Sequence, residues 1–341
     1  MSNTQSISNT RRPKHFVGLG ASAGGLEAIQ AFFKHMPKDS GLAFIIIQHL
    51  SPDYKSLMSE LVAKITDMPV HVAQDNMLVE ANHIYLIPPK KNLKIFHGYL
   101  ILTDQERTSA AINLPIDIFF TSLAEDQAED AIGIILSGTG SYGTRGCRSI
   151  KEMGGMVMVQ DETSAKFDGM PRSVIVNGLP DFVLDVEDMP NQLLAYIKHP
   201  YTARQQHKTP ITGEKGGLAK IFSLLREKSK IDFTFYKPST IVRRIERRMT
   251  VTQVDNLDNY VHYLIGHPQE QNILFREMLI GVTSFFRDND VFDSLASNWL
   301  REALEKHEGE EFRIWIAGCS TGEEAYNYAV YEQMFDDGGL P

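Results

Sequence analysis

Cysteine is nearly absent from this chain of 341 residues: only Cys147 and Cys319 occur. A disulfide framework is therefore excluded, and the two thiols lack metal-ligand spacing, so no metal site is expected. Long apolar runs are lacking as well. The runs at 43–47 and 132–136 have strand length, far below the roughly 20 residues of a membrane helix, and the polar N-terminus has no signal-peptide core. No membrane insertion is expected, and the cytoplasm is the expected address. Positive charge is also in short supply. With 34 Lys and Arg against 43 Asp and Glu, the formal net charge is −9, which argues against a nucleic-acid partner. No internal repeat is present, so solenoid and propeller architectures drop out.

What is present is 43% hydrophobic and 23% charged residues, enough for more than one core. Residues 1–13 are polar without a period and are expected to be disordered. From 14 to 198, strand-like runs (15–19, 42–47, 84–87, 132–136, 156–159) alternate with helix-like ones (26–36, 55–65, 116–128, 145–153). That alternation predicts an α/β fold, a doubly wound, mostly parallel sheet with ligands at the carboxyl ends of its strands. Residues 199–217, with Pro200, Pro210, Gly213, Gly216 and Gly217, read as a linker. A small helical domain is expected over 218–300. Residues 301–341 follow, with one strand-like run at 312–317 and a helix.

The most informative feature is Gly20-Ala21-Ser22-Ala23-Gly24, between the first strand-like run and the first helix. Small neighbours allow a sharp turn that exposes a serine hydroxyl, and the amides opening the helix can hold an oxyanion. Gly18, Gly20 and Gly24 also fit a dinucleotide loop, which needs an acidic residue at the end of the next strand. What stands there is Gln48-His49, and a histidine is the base a serine nucleophile needs. Ser22 also fits an ordinary helix N-cap.

Several motifs then follow in order: Ile87-Pro88-Pro89, Ser137-Gly138-Thr139-Gly140-Ser141-Tyr142-Gly143 and Gly169-Met170-Pro171-Arg172-Ser173. Together with Ser22 and His49 they resemble the CheB-type protein-glutamate methylesterases over 14–198. The resemblance implies Ser22 as nucleophile, His49 as base and no cofactor, acting on glutamyl methyl esters, and on glutamine by deamidation, of a methyl-accepting chemoreceptor or similar sensory protein. The family's acid, an aspartate, falls at Tyr142. A phenol is neutral at pH 7 and cannot stabilise an imidazolium as a carboxylate does. Asp168 is a substitute carboxylate, and a catalytically inactive, partner-binding module is the alternative reading.

Further on, Ile241, Ile245 and Met249 form one helical stripe, with Arg243, Arg244, Arg247 and Arg248 on the other side. Guanidinium groups dock carboxylate-bearing surfaces through paired hydrogen bonds. With Gly281-Val282-Thr283-Ser284-Phe285-Phe286-Arg287-Asp288 and Gly318-Cys319-Ser320-Thr321-Gly322-Glu323-Glu324, this part resembles the CheR-type glutamate methyltransferases. The resemblance implies that Thr283, Arg287, Gly318, Ser320, Gly322 and Glu324 serve S-adenosylmethionine and that the four arginines face the receptor. Only the first strand-helix unit of a Rossmann-like domain is supplied, so that site is expected to be incomplete, as in the front portion of a CheB–CheR fusion.

Overall fold

The computed structural model describes residues 12–48, 58–105, 113–199, 215–279, 289–295, 299, 301–306, 313–319 and 322–336. Residues 1–11, which hold most of the expected disordered segment, and 200–214 of the expected linker lie outside the described residues. Two compact units are present, 1–278 and 279–341.

In the first unit the chain runs β1 (Phe16–Ala21), α1 (Gly25–His35), β2 (Ala43–Gln48), α2 (Met58–Ala63), β3 (Val70–Val72), β4 (Met77–Leu78), β5 (Ile84–Leu86), β6 (Lys91–Phe96), β7 (Tyr99–Asp104) and α3 (Pro115–Gln127). It continues through β8 (Ala131–Ile135), α4 (Thr144–Glu152), β9 (Met156–Gln160), α5 (Gly169–Val176), β10 (Phe182–Leu184) and α6 (Met189–Lys198). Seven strands form one sheet in the order β10-β9-β8-β1-β2-β5-β3, every pairing parallel. A small antiparallel sheet, β4-β7-β6, stands beside it. The fold class read from the sequence is thus the observed one.

β1 is buried from end to end, as are β8 and β9, because helices cover both faces of the sheet. One apolar layer includes Phe32 and Phe33 of α1, Phe44 of β2 and Leu193 of α6. Phe33 meets Phe32 and Phe44 edge-on, each at a centroid distance of 5.2 Å. The opposite layer includes Phe119 and Phe120 of α3, Cys147 of α4 and Val174 of α5. The chain leaves β1 toward β2 on one side and later returns to build β8, β9 and β10 on the other. The carboxyl ends of β1 and β8 therefore flank a topological switch point, where open α/β sheets form their crevices.

The remainder of this unit is helical: α7 (Lys215–Ser229), α8 (Pro238–Thr252), α9 (Leu257–Gly266) and α10 (Pro268–Met278). Ile241, Ile245 and Met249 of α8 enter a core with Ile221, Tyr260 and Leu274, so the predicted stripe is the buried one. Asn256 caps α9 by accepting the Asn259 N–H at 2.9 Å. The second unit includes α11 (Asn289–Leu295), α12 (Arg301–Lys306) and α13 (Glu323–Asp336). Of the strand expected at 312–317, the described residues 313–317 form none, and the Trp315 side chain is 92% exposed. A strand needs a ladder partner, and the described residues of this unit contain no other strand. Among the described residues no helix is long and apolar enough to cross a membrane.

Candidate functional site

Ser22 follows the last residue of β1. Its backbone N–H donates to the Ser137 carbonyl at 3.0 Å, one step beyond the Leu136 N–H bond to the Gly20 carbonyl at 2.9 Å. The loop after β1 is thus sewn to the loop after β8. Ser22 is no helix cap: the N-cap of α1 is Gly24, at φ 70°, and no side chain caps that end. Only glycine takes this left-handed conformation without strain. Nor do the glycines form a dinucleotide loop. Gly18 and Gly20 lie within β1, and added Cβ atoms would come within 2.7 Å of Phe120 and Ile116 side chains of α3. Those glycines are consumed by helix-on-sheet packing.

The floor of the switch point is a set of hydrogen bonds around Ser137. Its hydroxyl donates to the Ala23 carbonyl at 2.9 Å and accepts the Phe167 N–H at 3.0 Å, while its N–H donates to Gln160 Oε1 at 2.9 Å. Gly138 exchanges backbone bonds with the 167–170 segment, accepting from the Met170 N–H and donating to the Phe167 carbonyl, both at 2.9 Å. A Cβ at Gly138 would lie 3.0 Å from the Ser22 Cβ, so these two loops touch. Beside them opens a cleft of about 400 Å³, with Gly24, Ser137, Gln160 and Ala28 in its lining and Glu27, Lys166 and Asp185 also contributing. Lys166 pairs with Glu27 at 3.1 Å across exposed side chains.

The other members of the predicted triad fare differently. Ala21 pairs in register with Gln48, the residue before His49, and His49 itself lies outside the described residues. Tyr142 lies in the loop after β8. Its ring rests near Gly140 and packs on the apolar layer shared by α3 and α4. Asp168, the substitute carboxylate, pairs with Arg172, which also holds Glu162 at 2.8 Å. Sequence reasoning passed over Asp117. This buried residue in the first turn of α3 accepts the Gly143 N–H at 2.8 Å and the Gly146 N–H at 3.0 Å, fixing the end of the Tyr142 loop and the start of α4. An acid two residues after a helix-opening proline was its only signal.

The arginine face requires a correction. Of the four arginines that the resemblance turns toward a receptor, Arg244, Arg247 and Arg248 are buried, and only Arg243 keeps a side chain 44% exposed. Carboxylates take up the guanidinium groups: Arg248 meets Glu270 at 2.7 and 2.9 Å and Arg247 meets Glu277 at 2.6 Å. Of the residues tied to S-adenosylmethionine, Thr283, Arg287 and Ser320 lie outside the described residues. Gly318 (φ 73°) and Gly322 (φ 108°) precede α13, and Glu324 sits in its first turn. Gly318 faces open space, and Ser320 and Thr321 of this loop lie outside the described residues.

Residues 17–193, more than half of the chain, match the CheB methylesterase family model. The chain belongs to that family. Residues 217–279 match the all-alpha domain of CheR methyltransferase and 281–338 its SAM-binding domain, which implies S-adenosylmethionine for the C-terminal part. An uncharacterized 104.1 kDa protein of Rhodobacter capsulatus is 38% identical over 295 residues, covering 80% of this chain and 31% of the relative. The protein-glutamate methylesterase/protein-glutamine glutaminase of Hydrogenovibrio crunogenus is 29% identical, covering 56% of this chain and 52% of its own. That of Salmonella typhi is 30% identical, covering 53% and 52%. The Thermotoga maritima CheB methylesterase catalytic domain aligns with a TM-score of 0.49 at 26% identity, covering 53% of this chain and 97% of the other. The chain thus spans between about a third and a half of the length of these curated relatives.

Proposed function

We propose that the first domain hydrolyses glutamyl methyl esters on a chemoreceptor-type sensory protein, with Ser22 as nucleophile and His49 as base. The observation that carries this reading is the position of Ser22 at the end of the central strand, its N–H bonded to the Ser137 carbonyl at the switch point of a CheB-family sheet. Ser22 Oγ attacks the ester carbonyl while His49 accepts its proton. The tetrahedral oxyanion turns toward the amides opening α1, where no side-chain cap competes for them. Methoxide leaves as methanol, taking the proton from His49. A water then repeats the cycle on the acyl-enzyme and frees the glutamate. Deamidation of glutamine follows the same course, with ammonia as the leaving group.

Tyr142 sets the rate. In serine proteases, changing the triad aspartate to asparagine costs about 10⁴ in rate and leaves residual catalysis, so a neutral phenol at this position supports a slow esterase. The same residue favours a second reading, in which the crevice binds its partner without turnover. Methanol release from a methylated receptor peptide tests the choice. Slow release by the native chain that disappears in Ser22→Ala supports hydrolysis; binding of the peptide with no release above the Ser22→Ala background supports the binding module. The expected cytoplasmic address and the chemoreceptor partner belong to this proposal. The methyltransferase-type part contributes no step to it.

A further inference from the structure

The arginines of α8 do not stop at their own domain. Arg247 donates through Nε and Nη2 to the Gly155 carbonyl at 3.2 and 2.9 Å, and through Nη2 to Asp181 Oδ2 at 2.5 Å. Both acceptors belong to the esterase-type domain, beside β9 and just before β10. Lys151 of α4 closes the circuit, giving one hydrogen bond to Asp181 at 2.8 Å and another to Glu277 of α10 at 3.1 Å. None of these side chains is more than 7% exposed. Around this centre, Arg243 reaches Glu129 at 3.4 Å and Val251 of α8 joins the apolar layer that contains Phe32 and Leu193.

Within the esterase side Lys151 pairs with Asp181, and within the helical side Arg247 pairs with Glu277 and Arg248 with Glu270, while Arg247 and Arg243 reach across to Asp181 and Glu129. The two faces fit through a planar guanidinium that reads a carbonyl and a carboxylate at once. Removing one partner of a buried ionic contact leaves an uncompensated charge and is strongly destabilising, so the contact fails when either side is substituted.

We propose that the arginine face of α8 is an intramolecular docking surface whose occupant is the edge of the esterase-type domain at Lys151, Gly155 and Asp181, so that the two domains move as one body. This inference uses none of the catalytic residues and stands apart from the proposed reaction.

The test is a distance measurement on the full chain. Nitroxides are placed at the exposed positions Lys94→Cys and Asp258→Cys, with Cys319→Ser removing the half-buried thiol and Cys147 shielded by burial. Double electron–electron resonance should give a single narrow distance in this background. Asp181→Asn on one side and Arg247→Met on the other should each cost at least half of that population in favour of a broad distribution. Arg226→Ala removes an exposed pair with Asp232 in the same helical domain and should leave the narrow distance intact. A broad distribution without any interface substitution overturns the proposal. So does an unchanged narrow distance in Arg247→Met, which decides the matter if circular dichroism shows that Asp181→Asn has unfolded.

Discussion

The backbone N–H of Ser22 donates to the carbonyl of Ser137 at 3.0 Å, and this bond ties the loop after β1 to the loop after β8. The position of Ser22 therefore depends on a loop more than a hundred residues away in sequence. That loop depends in turn on the segment beginning α5, because a Cβ at Gly169 would lie 2.9 Å from the Gly140 nitrogen and 3.3 Å from the Gly138 oxygen. Backbone cannot rotate aside as a side chain can. Gly169→Ala should lower stability by about 1–3 kcal/mol and reduce ester hydrolysis beyond what unfolding explains. Urea titration and methanol release on the same sample check this; native activity in the variant would show that the loop is not a support.

Asp117 gives a second handle on the same loop. Its carboxylate serves two buried amides, and hydrogen bonds to a charged group are worth more than neutral ones. Asp117→Ala should cost about 3 kcal/mol in a chemical denaturation midpoint analysis. Asp117→Asn can keep one acceptor and should lose less. Equal losses in both variants would mean that the charge, not the hydrogen bonding, matters.

At the opposite end of the sheet, buried His15 has neither ring nitrogen hydrogen-bonded, although Nε2 lies 3.7 Å from Asp130 Oδ1. Burial outweighs that nearby carboxylate and pushes His15 down to about 4, with Lys14 adding to the effect. Burial, with Glu129 beside it, pushes Asp130 up to about 6. The histidine contributes stability above about pH 6.5 that is lost as pH falls toward 4, because only the unfolded imidazole takes the proton there. The aspartate contributes stability at low pH that is lost as pH rises through 6. The two slopes oppose each other between about pH 4 and 6. Asp130→Asn should leave the histidine slope alone, so unfolding free energy should drop more steeply between pH 6.5 and 4 than in the native chain. Parallel pH profiles for the two proteins would contradict the account of this pair.

The elements that carry the site were legible because they are continuous apolar strands and long amphipathic helices. β1, β2, β8 and β9 lie close to their expected limits, as do α1, α3 and α4. The hairpin of β6 and β7 was missed although it had a signal. Leu93 and Ile95 alternate with exposed Lys94 and Phe96, and His97-Gly98, both at positive φ, form the turn between the strands. β3 and β10 have three residues each and are incompletely buried, too short for any period to emerge. The arginine side of α8 was misjudged for a different reason. Helical periodicity separates two faces but does not say whether the polar one meets water or the carboxylates of another domain. Asp117 escaped notice because an acid in a first helical turn ordinarily complements the helix dipole, and its true acceptor role needs the fold.

The central claim is that Ser22 performs ester hydrolysis in a crevice weakened by Tyr142, and the most direct measurement is kcat/KM for a methylated receptor peptide in three proteins: native, Tyr142→Asp, and Tyr142→Asp with Ser22→Ala. The account predicts a rise of about 10² or more in Tyr142→Asp, a fraction of the roughly 10⁴ attributed to a triad acid, and complete loss of that gain when Ser22 is also replaced. A Tyr142→Asp protein no faster than the native one, or a gain that survives Ser22→Ala, would contradict it.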